Sequence, residues 1–231
     1  MMLPVISTPT FKVNVPSLDR EILMRPFLVK EEKILLMAKQ SEDRDQIFLS
    51  LKQVIQNCIV DEEIDISKLP FYDIEYLFIH LRINSVGNSI DVEVTDPDTE
   101  KKVKANVDLS DIKVKKSKVK NNVKISETTA LVMKHPTLDE ISKVSTSSQI
   151  DAFFDTLKYS IKSVYHDDQS YEFVSYSDEE KNEFIDSLSV SNIDSCKEFI
   201  SKMPSVSTLA KWTMADGSEK SMEIKGINSF F

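Results

Sequence analysis

Apolar residues recur along this chain at helical spacing, then at the two-residue spacing of strands, and then at helical spacing again. Before the first helix, Pro4, Pro9 and Pro16 stand between short apolar groups. Proline removes a backbone donor and restricts its neighbour, so this stretch reads either as an extended arm or as an edge strand on its own domain. From Val29 the string VKEEKILLMAK consists of helix formers, with glutamates near its start to complement the helix dipole. Ile47, Phe48, Leu51, Val54, Ile55 and Cys58 predict a second helix that can pair with the first as a helical hairpin. Pro70 to Ile83 predicts a third, with Ile74, Leu77, Phe78 and Leu81 on one face and Asn84, Gly87 and Asn88 as its stop.

The period then changes to two. Ile90, Val92 and Val94 alternate with polar residues, Asp96-Pro97-Asp98 supplies a turn, and Val103, Ala105, Val107 and Leu109 alternate again. The strand character continues through Ile112, Val114, Val119, Val123 and Ile125, which puts the intervening lysines on a solvated face or in a basic docking patch.

Beyond Ser126 the reading is helical: a short segment broken at Pro136, a serine-rich stretch from Ser142 to Gln149, and an amphipathic helix carrying Ile150, Phe153, Phe154, Leu157, Ile161 and Val164. Ser177 and Glu180 have capping-box spacing, and Ser191 precedes a last helix with Ile193, Cys196, Phe199 and Ile200. Thr208 to Thr213, Asp216-Gly217 and Ser221 to Ile224 predict a closing hairpin. The expected fold is α+β, mostly helical with a lysine-rich β-hairpin in the middle and a C-terminal β-hairpin. Its segments are residues 1–20 as the arm, 21–141 as helical hairpin, helix and β-hairpin, and 142–231 as helices with the closing hairpin.

With 231 residues, 41% of them hydrophobic, the chain can build its core without staples. No apolar run approaches the roughly 20 residues that span a bilayer, and the start lacks the basic flank and apolar segment of a leader, so no membrane is expected. The net charge of -9 disfavours nucleic acid as a partner. That charge is unevenly spread: Lys101 to Lys124 holds nine lysines against Asp108 and Asp111, whereas Ser126 to Met203 holds seven lysines against fifteen acidic residues. Such asymmetry favours charged docking surfaces or a polar scaffold.

Catalytic chemistry finds no anchor. Cys58 and Cys196 lie in helix-like apolar patterns and read as buried thiols, and His80, His135 and His166 stand at no recognised metal-ligand spacing. The phosphate-loop, HExxH and GxSxG motifs are missing, and the three glycines are too few for a phosphate cradle. Asp167 with Asp168, and Glu179 with Glu180, are adjacent in sequence and point in different directions. No catalytic, cofactor-binding or metal residue is assigned.

Two strings carry a resemblance. Arg25-Pro26-Phe27-Leu28-Val29-Lys30-Glu31-Glu32-Lys33-Ile34-Leu35-Leu36-Met37-Ala38 is similar to the N-terminal signature of the baseplate hub family of T-even-type contractile-tailed phages, in which a short strand passes into the first helix. Leu69-Pro70-Phe71-Tyr72-Asp73-Ile74-Glu75-Tyr76-Leu77-Phe78, continuing through Leu81-Arg82 to Ser85-Val86-Gly87, resembles the same family. Weaker similarity covers Ile90 to Val114, the helices around Phe153 and Phe199, and the tail from Lys225 to Phe231.

The resemblance implies a non-enzymatic structural or assembly component of the hub, without a cofactor. Its partners would be other phage baseplate or hub proteins, or further copies of the chain. It would reside in the bacterial host cytoplasm during assembly or in the tail baseplate of the virion. Many members of that family carry cysteine pairs, like a small zinc ribbon, at the tips of two hairpins. This sequence has Asp96-Pro97-Asp98 and Ala215-Asp216-Gly217 there, so turn chemistry is expected to do the closing.

Interfaces rest on a few aromatic and arginine anchors, and the candidate partner contacts are Arg25, Phe27, Lys30, Glu31, Tyr72, Tyr76, Phe230 and Phe231. Trp212 belongs with the aromatic candidates, although core is the favoured reading for Trp212, Phe27 and Tyr76. The rival expectations are a tail-tip enzyme such as a cell-wall hydrolase and a nucleic-acid module using Lys113, Lys115, Lys116 and Lys118.

Overall fold

The computed structural model describes residues 6–60, 64–115, 119–214 and 217–226. Its contacts gather the chain into two compact units, Met1–Lys115 with Ser205–Phe231, and Lys116–Pro204. This grouping differs from the three segments expected with boundaries at 20 and 141.

The first unit opens with an antiparallel pair, β1 (Phe11–Val15) and β2 (Arg20–Met24), which bury Val13, Val15, Ile22 and Met24. The stretch expected as an arm therefore holds a strand on its own unit. Two helices follow, α1 (Val29–Ser41) and α2 (Arg44–Cys58). Glu42 turns between them in the left-handed region, and the Asp43 carboxylate caps α2 by accepting from the N–H groups of Asp45 and Gln46. The third helix, α3 (Phe71–Ser85), starts directly after Pro70.

Strands β3 (Ser89–Thr95) and β4 (Lys102–Asp108) form the expected hairpin, with Ile90 opposite Val107, Val92 opposite Ala105 and Val94 opposite Val103. The short β5 (Lys113–Lys115) ends this part of the unit. On β4 and β5 the alternation sends Lys102, Lys104, Lys113 and Lys115 to the exposed face.

The second unit holds a four-stranded antiparallel sheet in the order β6 (Asn122–Lys124), β7 (Thr129–Met133), β8 (Ile161–His166), β9 (Gln169–Glu172). Its helices are α4 (Leu138–Ile141), α5 (Gln149–Ser160), α6 (Asp178–Asp186) and α7 (Val190–Ser201). The Ser177–Glu180 capping box is present on α6, while α7 begins behind Ser189, with Asn192 completing the box. Leu131, Met133, Leu157, Ile161, Phe173, Cys196 and Phe199 share one core.

The chain then returns to the first unit. Strand β10 (Ser205–Thr213) pairs along its length with β11 (Glu219–Lys225), and its other edge is shared by β4 and β5. The resulting five-stranded sheet packs Ile90, Val94, Ala105, Val107, Val206, Ala210, Trp212 and Ile224 around Ile79 of α3. Each large side chain buried in this way contributes about 1.5–3 kcal/mol. Ser205 is the register partner of Lys115, so the second unit is an insertion whose two ends leave the first unit side by side.

The expectation of a mostly helical chain is corrected. The protein is 42% helical and 30% strand, a mixed α/β fold with sheets of two, five and four strands. The error lies beyond Ser126. Ile161 and Val164 continue the helical spacing of α5, but β-branched residues are stiff in helices and fit a pleated surface. The helix ends where the Ser160 hydroxyl donates back to the Thr156 carbonyl oxygen at 2.6 Å, and β8 begins at the next residue.

Candidate functional site

The segment from Arg25 to Glu31 joins most of the first unit. Leaving β2, the chain is held by the Arg25 N–H to the Cys58 carbonyl (2.8 Å) and by the Phe27 N–H to the Ser85 hydroxyl (3.0 Å). Glu31 stands at the third position of α1, where its carboxylate accepts the otherwise orphaned Leu28 N–H at 2.9 Å. The same carboxylate is fully buried and takes the Arg25 guanidinium at 3.0 and 3.5 Å and the Lys30 ammonium at 3.4 Å. Arg25 donates in addition to the carbonyl oxygens of Asn57 (2.8 Å) and Pro26 (3.0 Å).

Burial by itself would raise the Glu31 carboxyl, but Arg25, the Leu28 N–H and Lys30 together hold it below the usual range. The hydrogen bond to Glu31 correspondingly raises Arg25. Beside them burial pushes the Cys58 thiol up to about 11, which leaves it a packing residue at neutral pH.

Of the expected contact residues, the structure therefore brings Arg25 and Glu31 together inside the fold, with only Lys30 of this trio on the surface. Phe27 is half-buried, and Tyr72 and Tyr76 pack half-buried against the core of the five-stranded sheet. Burial raises both tyrosines, Tyr72 to about 12. Phe230 and Phe231 lie outside the described residues. The exposed residues that sequence reasoning missed are Val29, Leu36 and Met37, 58–71% accessible on the side of α1 away from its buried Glu31, Leu35 and Ala38. Subtracting the core-facing Leu35 and Ala38 from the apolar residues of α1 would have pointed to them.

Trp212 of β10 and its register partner Lys220 of β11 meet on Asp96, in the turn between β3 and β4. This carboxylate, fully buried, accepts from the Trp212 indole N–H at 3.1 Å, from Lys220 at 3.0 and 3.3 Å, and from the N–H groups of Asp98 and Thr99 at 2.9 Å each. Lys220 also reaches Asp98 at 2.7 Å. Against the effect of burial, Lys220 and the two N–H groups hold Asp96 far below the ordinary carboxylate range. These residues do not fit a zinc ion: the place has no thiolate, and a lysine ammonium already supplies the positive charge between the two aspartates. Among the described residues no group of three or more histidine, cysteine or acidic side chains is arranged to hold a metal.

The inserted unit carries an apolar cleft of about 550 Å3, walled by Ile125, Val164, Tyr171, Phe173, Tyr176 and Phe184. At its edge the Thr129 hydroxyl lies 2.8 Å from His166 Nδ1, and His166 Nε2 lies 3.2 Å from Asp167. The connectivity is that of nucleophile, base and acid. Yet Thr129 and His166 are simply register partners at the end of β7 and β8, and the His166 side chain is half open to water. An activated nucleophile needs a desolvated setting and aligned oxyanion donors, so these residues read as a cross-strand pair.

The geometry defines a mixed α/β protein with an inserted second unit, in which the buried Glu31 and Asp96 carboxylates are met by Arg25 and Lys220. The chain belongs to the family described as T4 bacteriophage base plate protein, whose model matches residues 8–231, through both units. It is thus a component of a phage baseplate. No curated protein and no solved structure matches the chain.

Proposed function

We propose that this baseplate protein works at the hub of a contractile tail as a non-enzymatic structural or assembly component, held by protein–protein contacts. Its partners are other hub or baseplate proteins, or further copies of itself, and assembly takes place in the bacterial host cytoplasm. The observation that carries the reading is the family match, which runs unbroken through the inserted unit.

Two features support it. The outer face of α1 presents Val29, Leu36 and Met37 to solvent within the segment that resembles hub proteins, a costly exposure unless a partner covers it. The lysines of β4 and β5 sit in a face of mixed sign, with Lys102 at 2.8 Å from Glu93 and with Asp91 and Asp108 in the same hairpin, which is poorly suited to a phosphate backbone. Among the described residues no helix is long and apolar enough to cross a membrane.

The test is affinity purification of the tagged chain from infected cells, which should bring down baseplate proteins. Clearing of peptidoglycan by the purified chain, lost in His166→Ala, would instead make it a tail-tip hydrolase.

A further inference from the structure

Between Ser126 and Met203 the inserted unit has seven lysines against fifteen acidic residues, yet five of the seven line a single depression of about 470 Å3. Lys134 comes from the end of β7, Lys143 from the turn after α4, Lys158 from α5, Lys162 from β8 and Lys181 from α6. Three of them have acidic neighbours: Lys134 is bonded to Glu140, Lys158 lies 3.3 Å from Asp155, and Lys181 lies 3.5 Å from Asp178. Lys143 and Lys162 are exposed and have no carboxylate partner among the described residues. Lys143 and Lys162 are therefore the two cations of this concavity left to meet an anion from outside the unit.

The walls say what kind of anion. Glu140, Glu172 and Asp178 stand among the lysines, so negative charge is welcome only at the two unpaired lysines, which suits a few spaced carboxylates better than a dense row of phosphates. The lining also includes the buried Ile161 and Phe173 and the half-buried Tyr159, and Val174 is 76% exposed. We infer that this depression docks an acidic segment of a partner protein, which sets carboxylates against Lys143 and Lys162 and an apolar side chain against Val174. The inference rests on the reading of the chain as a protein-contact component and adds the chemistry of one partner.

The test uses the full chain and a short fluorescein-labelled peptide of glutamates with one central leucine, followed by anisotropy at low salt. Binding is expected, weakened about tenfold or more by Lys143→Glu combined with Lys162→Glu, and weakened also by added salt. Replacing the leucine by glycine should weaken it several-fold. Both lysines are exposed, so an unchanged thermal midpoint shows that the variant is folded. Equal binding to both proteins, or none, overturns the inference, and so does a polyphosphate of matched charge that displaces the peptide more effectively than unlabelled peptide does. Recovery of the double variant in baseplate complexes after a failed peptide titration would sink this site alone, whereas loss of the unaltered chain from those complexes would sink the function it rests on.

Discussion

Replacing Arg25 by methionine removes the main cation from a carboxylate that has no access to water. Glu31 would keep the Leu28 N–H and Lys30, but Lys30 is largely in solvent, and the carbonyl oxygens of Asn57 and Pro26 would lose their donor. Breaking a buried pair from one side costs about 3–5 kcal/mol. Because the Arg25 side chain is still 18% exposed, the lower end, about 3 kcal/mol, applies. Changing both residues, Arg25→Met with Glu31→Leu, removes the stranded charge and leaves chiefly the Leu28 N–H without its acceptor, at about 1 kcal/mol.

The double variant should accordingly be more stable than Arg25→Met alone, a non-additivity that a double-mutant cycle reads directly. Trp212, the only tryptophan and buried in the same unit, supplies the fluorescence signal for urea titrations. The pH dependence should change sign. In the unaltered chain Glu31 is depressed, so its contribution is complete above its unfolded value near 4.3 and is lost as pH falls through the native value. In Arg25→Met, burial dominates and raises the carboxyl, so that variant gains stability on acidification. A cost below about 1 kcal/mol, additive energies, or an unchanged pH slope would refute the reasoning.

Asp96→Asn should lower the unfolding midpoint and shift Trp212 emission to the red, because Lys220 loses its counter-ion and the indole its charged acceptor. The depressed Asp96 stabilises above its unfolded pKa and loses this only as pH falls through its lower native value, so the deficit of the variant should shrink only in strong acid. Asp73, which accepts from the Ser17 N–H at 3.1 Å and from the Ser17 hydroxyl, is raised by burial to about 6. A raised carboxyl favours the protonated fold, so its contribution increases as pH falls from 7 through 6 toward 4, against the opposite slope of His80, which burial lowers. Urea titrations of Asp73→Asn beside the unaltered chain from pH 7 to 5 should show that this slope is lost. Excising residues 116–204 and joining Lys115 to Ser205 by a short Gly-Ser linker should leave cooperative unfolding of Trp212 intact, since the two ends are already strand partners. A molten emission spectrum would show that the inserted unit is required for folding.

The β3–β4 hairpin was legible because one face is buried and the period is two: Ile90, Val92, Val94 and their partners Val107, Ala105 and Val103 all alternate, while Leu109, expected in the strand, opens a 3-10 turn. The third helix and the α6 capping box were legible through Pro70 and Ser177, which act locally. The four-stranded sheet was not, because β7 and β8 are short apolar runs whose spacing also suits a helix, with no glycine or proline at the Ser160–Ile161 junction. The pairing of Lys115 with Ser205 has no local signature at all. The candidate site was half visible. Arg25 and Glu31 stood out as candidate partner contacts, but their pairing inside the fold depends on α2, whose end supplies two further partners of Arg25. The lysine depression was invisible for the same reason, since its walls run from Lys134 to Lys181.

Quantitative mass spectrometry of mature particles beside a baseplate assembly intermediate tests the central claim most directly. The account predicts peptides from both units of this chain in the intermediate, retained in the particle if the role is structural and missing from it if the role is assembly alone. Absence from both preparations would contradict it.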